Sequence, residues 1–143
     1  MRYGLTIAIF AGFPLMAQAP PSNAPGQAGA SRLKTGTLSN GRAWGIFADA
    51  EKKSYLLGLS EGIVSMLGVF PDTGDYLKEQ VPQSLSIIEV SKALDRFYAE
   101  PENLPVPVIR AMHIVALKTM GLEPDRLERE VALERRLAND SAK

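Results

Sequence analysis

The chain of 143 residues carries sixteen basic and sixteen acidic side chains, a single histidine and no cysteine. A net charge of zero removes the basic footprint that phosphate backbones attract, so no nucleic-acid partner is expected. Without cysteine there is no disulfide, thiolate zinc site or cysteine nucleophile, and a lone histidine excludes a multi-histidine metal centre within one chain, so no cofactor is expected.

Arg2, an apolar run over residues 3–17 and the small-residue pattern Ala17-Gln18-Ala19 have the layout of a secretory signal. Residues 1–19 are therefore expected to direct the chain to the periplasm or outside the cell. Gly12 and Pro14 interrupt the run, which falls short of the ~20 residues of a spanning helix, so cleavage rather than a stable membrane anchor is expected. Pro20 is a poor residue after a scissile bond, which moves the expected cut to Ala17 or into the next stretch. Residues 20–34, rich in Pro, Gly, Ala and Ser, read as a disordered linker, and 35–143 as a single helical domain.

Within that domain Ser39 is a candidate cap for a short helix holding Trp44, Ile46 and Phe47, with Trp44 as a lid on the core. Asp49 then caps a helix over residues 50–70. At about 100° per residue, Tyr55, Leu56, Leu59, Ile63, Met66, Leu67 and Phe70 gather into one arc that faces the core. Gly58 and Gly62 are costly in a helix interior, and the expected compensation is close approach of another helix backbone, either within the chain or in a homodimer. Glu61 projects to solvent. Pro71 ends this helix, and residues 72–82 form a loop in which Asp72, Asp75 and Tyr76 are candidate partner contacts. Its acidic residues lack the spacing of an EF-hand calcium loop.

Ser86 and Glu89 form a capping box that opens a helix over 87–99, with Ile87, Val90, Leu94, Phe97 and Tyr98 as its apolar stripe. Pro101, Pro105 and Pro107 make the next stretch a stiff elbow, whose tip presents Glu100, Glu102 and Asn103 as further candidate contacts. The helix over 107–120 follows and stops at Gly121, a C′ glycine. Its apolar residues span more than half the circumference, leaving Arg110, Ala111, Ile114 and Lys118 to point away, so it is placed at the centre of the bundle. His113 is read as a core histidine bonded to a backbone carbonyl or to Tyr98. Pro124 opens a charged last helix, to about residue 139, that covers one side of the bundle. The fold expected is all-α, a compact bundle of four to five helices.

Three features together resemble the Rap1a/Tai family of immunity proteins: the export signal; Tyr55-Leu56-Leu57-Gly58 with Glu61-Gly62; and Val90, Leu94 and Pro101-Glu102-Asn103-Leu104 before a helix with Ala111 and Ala116-Leu117. The resemblance spans about residues 44–121 and implies a small, periplasmic, helical protein. It further implies a protein partner, a peptidoglycan-cleaving effector, whose active site is blocked by an inserted surface element. Family members typically carry disulfides, which this chain lacks. The alternative is a non-catalytic envelope structural or assembly protein tethered by its linker. An enzymatic reading requires His113 beside Glu61 or Asp95 in an open cleft.

Overall fold

A computed structural model describes residues 32–69 and 79–141. Residues 1–19, expected to be an export signal, residues 20–31 of the expected linker, Phe70, Pro71 and the candidate contacts Asp72, Asp75 and Tyr76 lie outside the described residues. The chain enters through a hairpin of β1 (Lys34–Thr35) and β2 (Leu38–Ser39), paired antiparallel with Thr35 opposite Leu38. Gly36 turns it at a φ of 60°, a left-handed conformation that glycine adopts without penalty. Among the described residues five helices follow: α1 (Gly41–Ile46), α2 (Asp49–Val69), α3 (Ile87–Tyr98), α4 (Val108–Thr119) and α5 (Pro124–Asp140). Between α3 and α4 lies a single 3-10 turn, Pro101–Asn103. The all-α bundle expected from the sequence is the fold observed, with the hairpin as an addition that begins at Lys34, inside the stretch read as linker.

Local signals place most helix ends. Ser86 and Glu89 close the capping box in both directions, Glu89 N–H donating to Ser86 Oγ at 3.3 Å and Ser86 N–H to Glu89 Oε2 at 2.8 Å. These bonds from Ser86, backbone first and hydroxyl second, hold the Glu89 carboxyl below the usual glutamate range. Gly121, at a φ of 80°, ends α4 in a Schellman motif: Leu122 N–H reaches Leu117 O at 3.1 Å and Gly121 N–H reaches Lys118 O at 3.2 Å. Pro124 occupies the first turn of α5, where its missing N–H costs nothing. The cap of α1 is Asn40 instead of Ser39. Its Oδ1 accepts from Arg42 and Ala43 N–H, while its Nδ2 donates to Thr35 Oγ1 and Arg32 O, each at 3.2 Å. A hydroxyl has only one donor hydrogen and cannot make both donated bonds, so the amide takes the position.

The core gathers Trp44, Leu56, Leu94, Met112, Val106 and Val108 between α1, α2, α3 and α4. Trp44 is fully buried as expected, and its indole Nε1 donates to Asp95 Oδ1 at 2.8 Å. Lys52 Nζ meets the same carboxylate oxygen at 2.8 Å and lies 5.3 Å from the centre of the Trp44 ring, so one site ties α1, α2 and α3 together. Helix α4 packs against both α3 and α5. Two residues expected to face outward from it, Ala111 and Ile114, are buried, whereas Met120, expected inside, is exposed. Neighbours on two sides cover what a single-arc reading leaves open. On α2 only Leu56 and Ile63 are fully buried, and Met66, expected in the core-facing arc, is exposed.

Within the chain, the close approach expected at Gly58 and Gly62 does not occur among the described residues. A Cβ at either position meets nothing within 4 Å among the described residues. The close contact is at Gly41 instead, where a Cβ would lie 2.3 and 2.5 Å from two ring carbons of Tyr98 and 3.0 Å from Leu104 Cα. Gly41→Ala is therefore expected to destabilise the fold by about 2–3 kcal/mol through overpacking. Gly58→Ala, in open space on a helix, is expected to stabilise it by up to about 1 kcal/mol. Urea unfolding of the two variants beside the parent checks both signs.

Candidate functional site

Three prolines in the α3–α4 elbow remove three N–H donors and leave a run of carbonyl acceptors, so the donors must come from elsewhere. Thr35 Oγ1 donates to Pro105 O, Gly41 N–H to Leu104 O at 3.0 Å, and Tyr98 Oη–H to Val106 O at 3.0 Å. Asn40 and Pro107 form an isolated antiparallel bridge beside them. The hairpin and the start of α1 thus clasp one side of the elbow.

Asn103 clasps the other. Expected at the exposed tip, it is buried, with 1% of its surface accessible. Its Nδ2 donates to Phe97 O at 2.6 Å and reaches Glu100 Oε2 at 3.5 Å. Its Oδ1 accepts from Arg135 Nε at 2.7 Å, and Arg135 Nη2 donates to Glu100 Oε2 at 2.6 Å. The amide turns inward because the last turn of α3 leaves Phe97 O without a helical partner, and a side-chain amide supplies both the donor needed there and an acceptor for Arg135. Of the sequence candidates on this elbow, Glu100 and Glu102 remain exposed. Glu100 is bound to Arg135, and Glu102 makes no polar contact among the described residues.

Beside Glu100 a cleft of about 690 Å³ opens between α3, α4 and α5. Phe97, Ile114, Val115, Leu127 and Val131 give it apolar walls, and Arg96, Glu100 and Lys118 stand among its polar lining. That volume falls in the ordinary range of ligand pockets. Arg96 and Lys118 form no ion pair among the described residues, so both cations are available to a ligand. Sequence reasoning missed the cleft and Arg135. Arg135 sits 32 residues from its amide partner on a helix dense with charge, and only its orientation distinguishes it from its neighbours.

His113 is half-buried, and its Nδ1 lies 3.1 Å from Glu79 O, the backbone-carbonyl partner anticipated for it. No hydrogen bond or ion pair joins it to Glu61 or Asp95 among the described residues. Asp95 is occupied by Trp44 and Lys52. Among the described residues no cluster of three or more histidine, aspartate or glutamate side chains is arranged to hold a metal, and no helix is long and apolar enough to cross a membrane. No protein family, no curated protein and no solved structure matches the chain.

Two outcomes follow from the elbow. Asn103→Ala strands Phe97 O and Arg135 Nε together and is expected to cost about 2 kcal/mol, while Glu102→Ala stays within about 0.5 kcal/mol, both read from urea unfolding. Burial first, and the nearby Tyr55 second, push the Tyr98 hydroxyl well above the usual tyrosine range. The folded state therefore holds that proton to higher pH than the unfolded chain does. The resulting stability is complete below pH about 10 and declines as pH rises through the ordinary tyrosine range and on toward the higher folded value. Tyr98→Phe is expected to lose about 1 kcal/mol at neutral pH and to show a shallower alkaline decline in the same assay.

Proposed function

We propose that this protein is an exported, non-catalytic helical binding module that grips a protein partner with its elbow and the adjoining cleft. Following the Rap1a/Tai resemblance, the partner is a peptidoglycan-cleaving enzyme. The observation that carries this reading is the anchored elbow, where Asn103 is buried and bonded while Glu100 and Glu102 stand exposed beside an apolar cleft. A surface element that enters another protein's active site binds best when little freedom remains to be lost on association. Two clasps and three prolines remove that freedom before the partner arrives. The pairing of Glu100 with Arg135 uses one carboxylate to hold the shape, leaving Glu102 as the free charge offered outward.

The test combines capture and inhibition. The protein is used as bait on envelope extract, and the captured hydrolase, or the one encoded beside this gene, is assayed on peptidoglycan with and without it. Inhibition by the parent, weakened about tenfold or more by Glu102→Arg with unfolding stability unchanged, is the expected result. Hydrolysis untouched at saturating protein, with envelope-assembly proteins captured instead, rejects the inhibitor reading.

A further inference from the structure

Helices α3 and α5 both pack on α4, and the cleft of about 690 Å³ is the groove left between them. Buried Ile114 and Val115 of α4 line it together with Phe97, Leu127 and Val131, each half-buried on the flanking helices. A second cavity of about 600 Å³ shares Glu100, Lys118, Leu127 and Val131 with the first and continues to Leu122 and Pro124. The apolar surface is therefore long, running beside α5 for several turns.

The polar groups around this groove are unequally committed. The Asn103 amide is bonded at both ends, Glu100 is held by Arg135, and the Thr119 hydroxyl donates to Ala116 O at 2.8 Å. Arg96 on α3 and Lys118 on α4 are exposed, and their side chains make no hydrogen bond or ion pair among the described residues. The free polar complement of the cleft is thus two cations on different helices.

That complement selects the occupant. Helical walls bond their backbone groups internally, so they offer no row of N–H and C=O groups to an extended peptide. A peptide would bring amides, and a sugar hydroxyls, that find too few partners here, and a polar group taken from water without a partner weakens binding. An apolar chain with one anionic end leaves nothing unpaired.

We propose that the cleft binds a single-chain alkyl carboxylate, a fatty acid, with its head held by Arg96 and Lys118 and its chain along Phe97, Leu127 and Val131. Charge-assisted hydrogen bonds from two cations suit a carboxylate, and a groove of this volume takes one chain and not a bilayer lipid's two headgroup-linked ones. The inference goes beyond the function proposed for the elbow, because this chain supplies every residue it uses and Glu102 takes no part. A protein partner that enters the cleft competes with the fatty acid for the same walls.

Isothermal titration calorimetry on the purified chain, stripped of bound lipid, tests this with octanoate, decanoate and dodecanoate below micelle formation. One site per chain is expected, with affinity rising up to about fourfold for each added methylene that is buried. Decanol should bind about tenfold more weakly than decanoate. Arg96→Ala and Lys118→Ala should each weaken decanoate about tenfold and leave decanol unchanged, with circular dichroism reporting the parent fold. Methyl NMR is expected to place the tail against Ile114, Leu127 and Val131. No heat and no methyl shift at roughly 1 mM dodecanoate overturns the proposal. So does binding indifferent to both alanine variants, or a tail located against Leu57 and Val64 of α2. Decanol or a short acidic leucine-rich peptide that binds as tightly as decanoate, or dodecyl phosphate that binds more tightly than dodecanoate, overturns it as well.

Discussion

The elbow between α3 and α4 imposes a donor shortage, and much of the remaining structure answers it. Prolines at 101, 105 and 107 fix the corner and also strip it of N–H groups, leaving carbonyls at Leu104, Pro105 and Val106 to be satisfied from outside. Thr35 can donate only if the hairpin brings it to the elbow, which gives two-residue strands a reason to exist in a helical protein. Gly41, which donates to Leu104 O, lies so close to Tyr98 that a Cβ would fall 2.3 and 2.5 Å from two of its ring carbons, which leaves no room for a side chain there. Tyr98 itself must be buried to reach Val106 O, and that burial keeps its hydroxyl protonated. Hairpin, glycine and tyrosine are three consequences of one corner.

What was legible in the sequence divides along the range of the forces involved. The capping box at Ser86, the Schellman glycine at 121 and the proline opening α5 act within one turn of backbone, and each was placed correctly from residue order alone. Trp44 was legible because burying so large a side chain dominates its alternatives. Asn103 was not. A polar residue between prolines at a predicted corner reads as exposed, and only the orphaned Phe97 carbonyl at the end of α3 draws it inward. The same holds for Arg135, whose partner is set by how α5 lies on the elbow. Ala111 and Ile114, expected to point away from a central helix, are buried because α3 and α5 pack on α4 and its covered surface extends past the broad arc that the wheel assigns to the core.

The glycines of α2 behave differently. Gly58 and Gly62 suggest the approach of another helix, within the chain or from a second copy, yet a Cβ at either site meets nothing within 4 Å among the described residues, so no described helix of this chain comes close there. The helix turns its larger residues, Leu56 and Ile63, to the core and leaves both glycines on the outside. Spacing alone can identify a strip of small residues but not the direction it faces. That direction depends on where α3 lies, and α3 is set by the Trp44–Asp95–Lys52 tie and by the elbow beyond it.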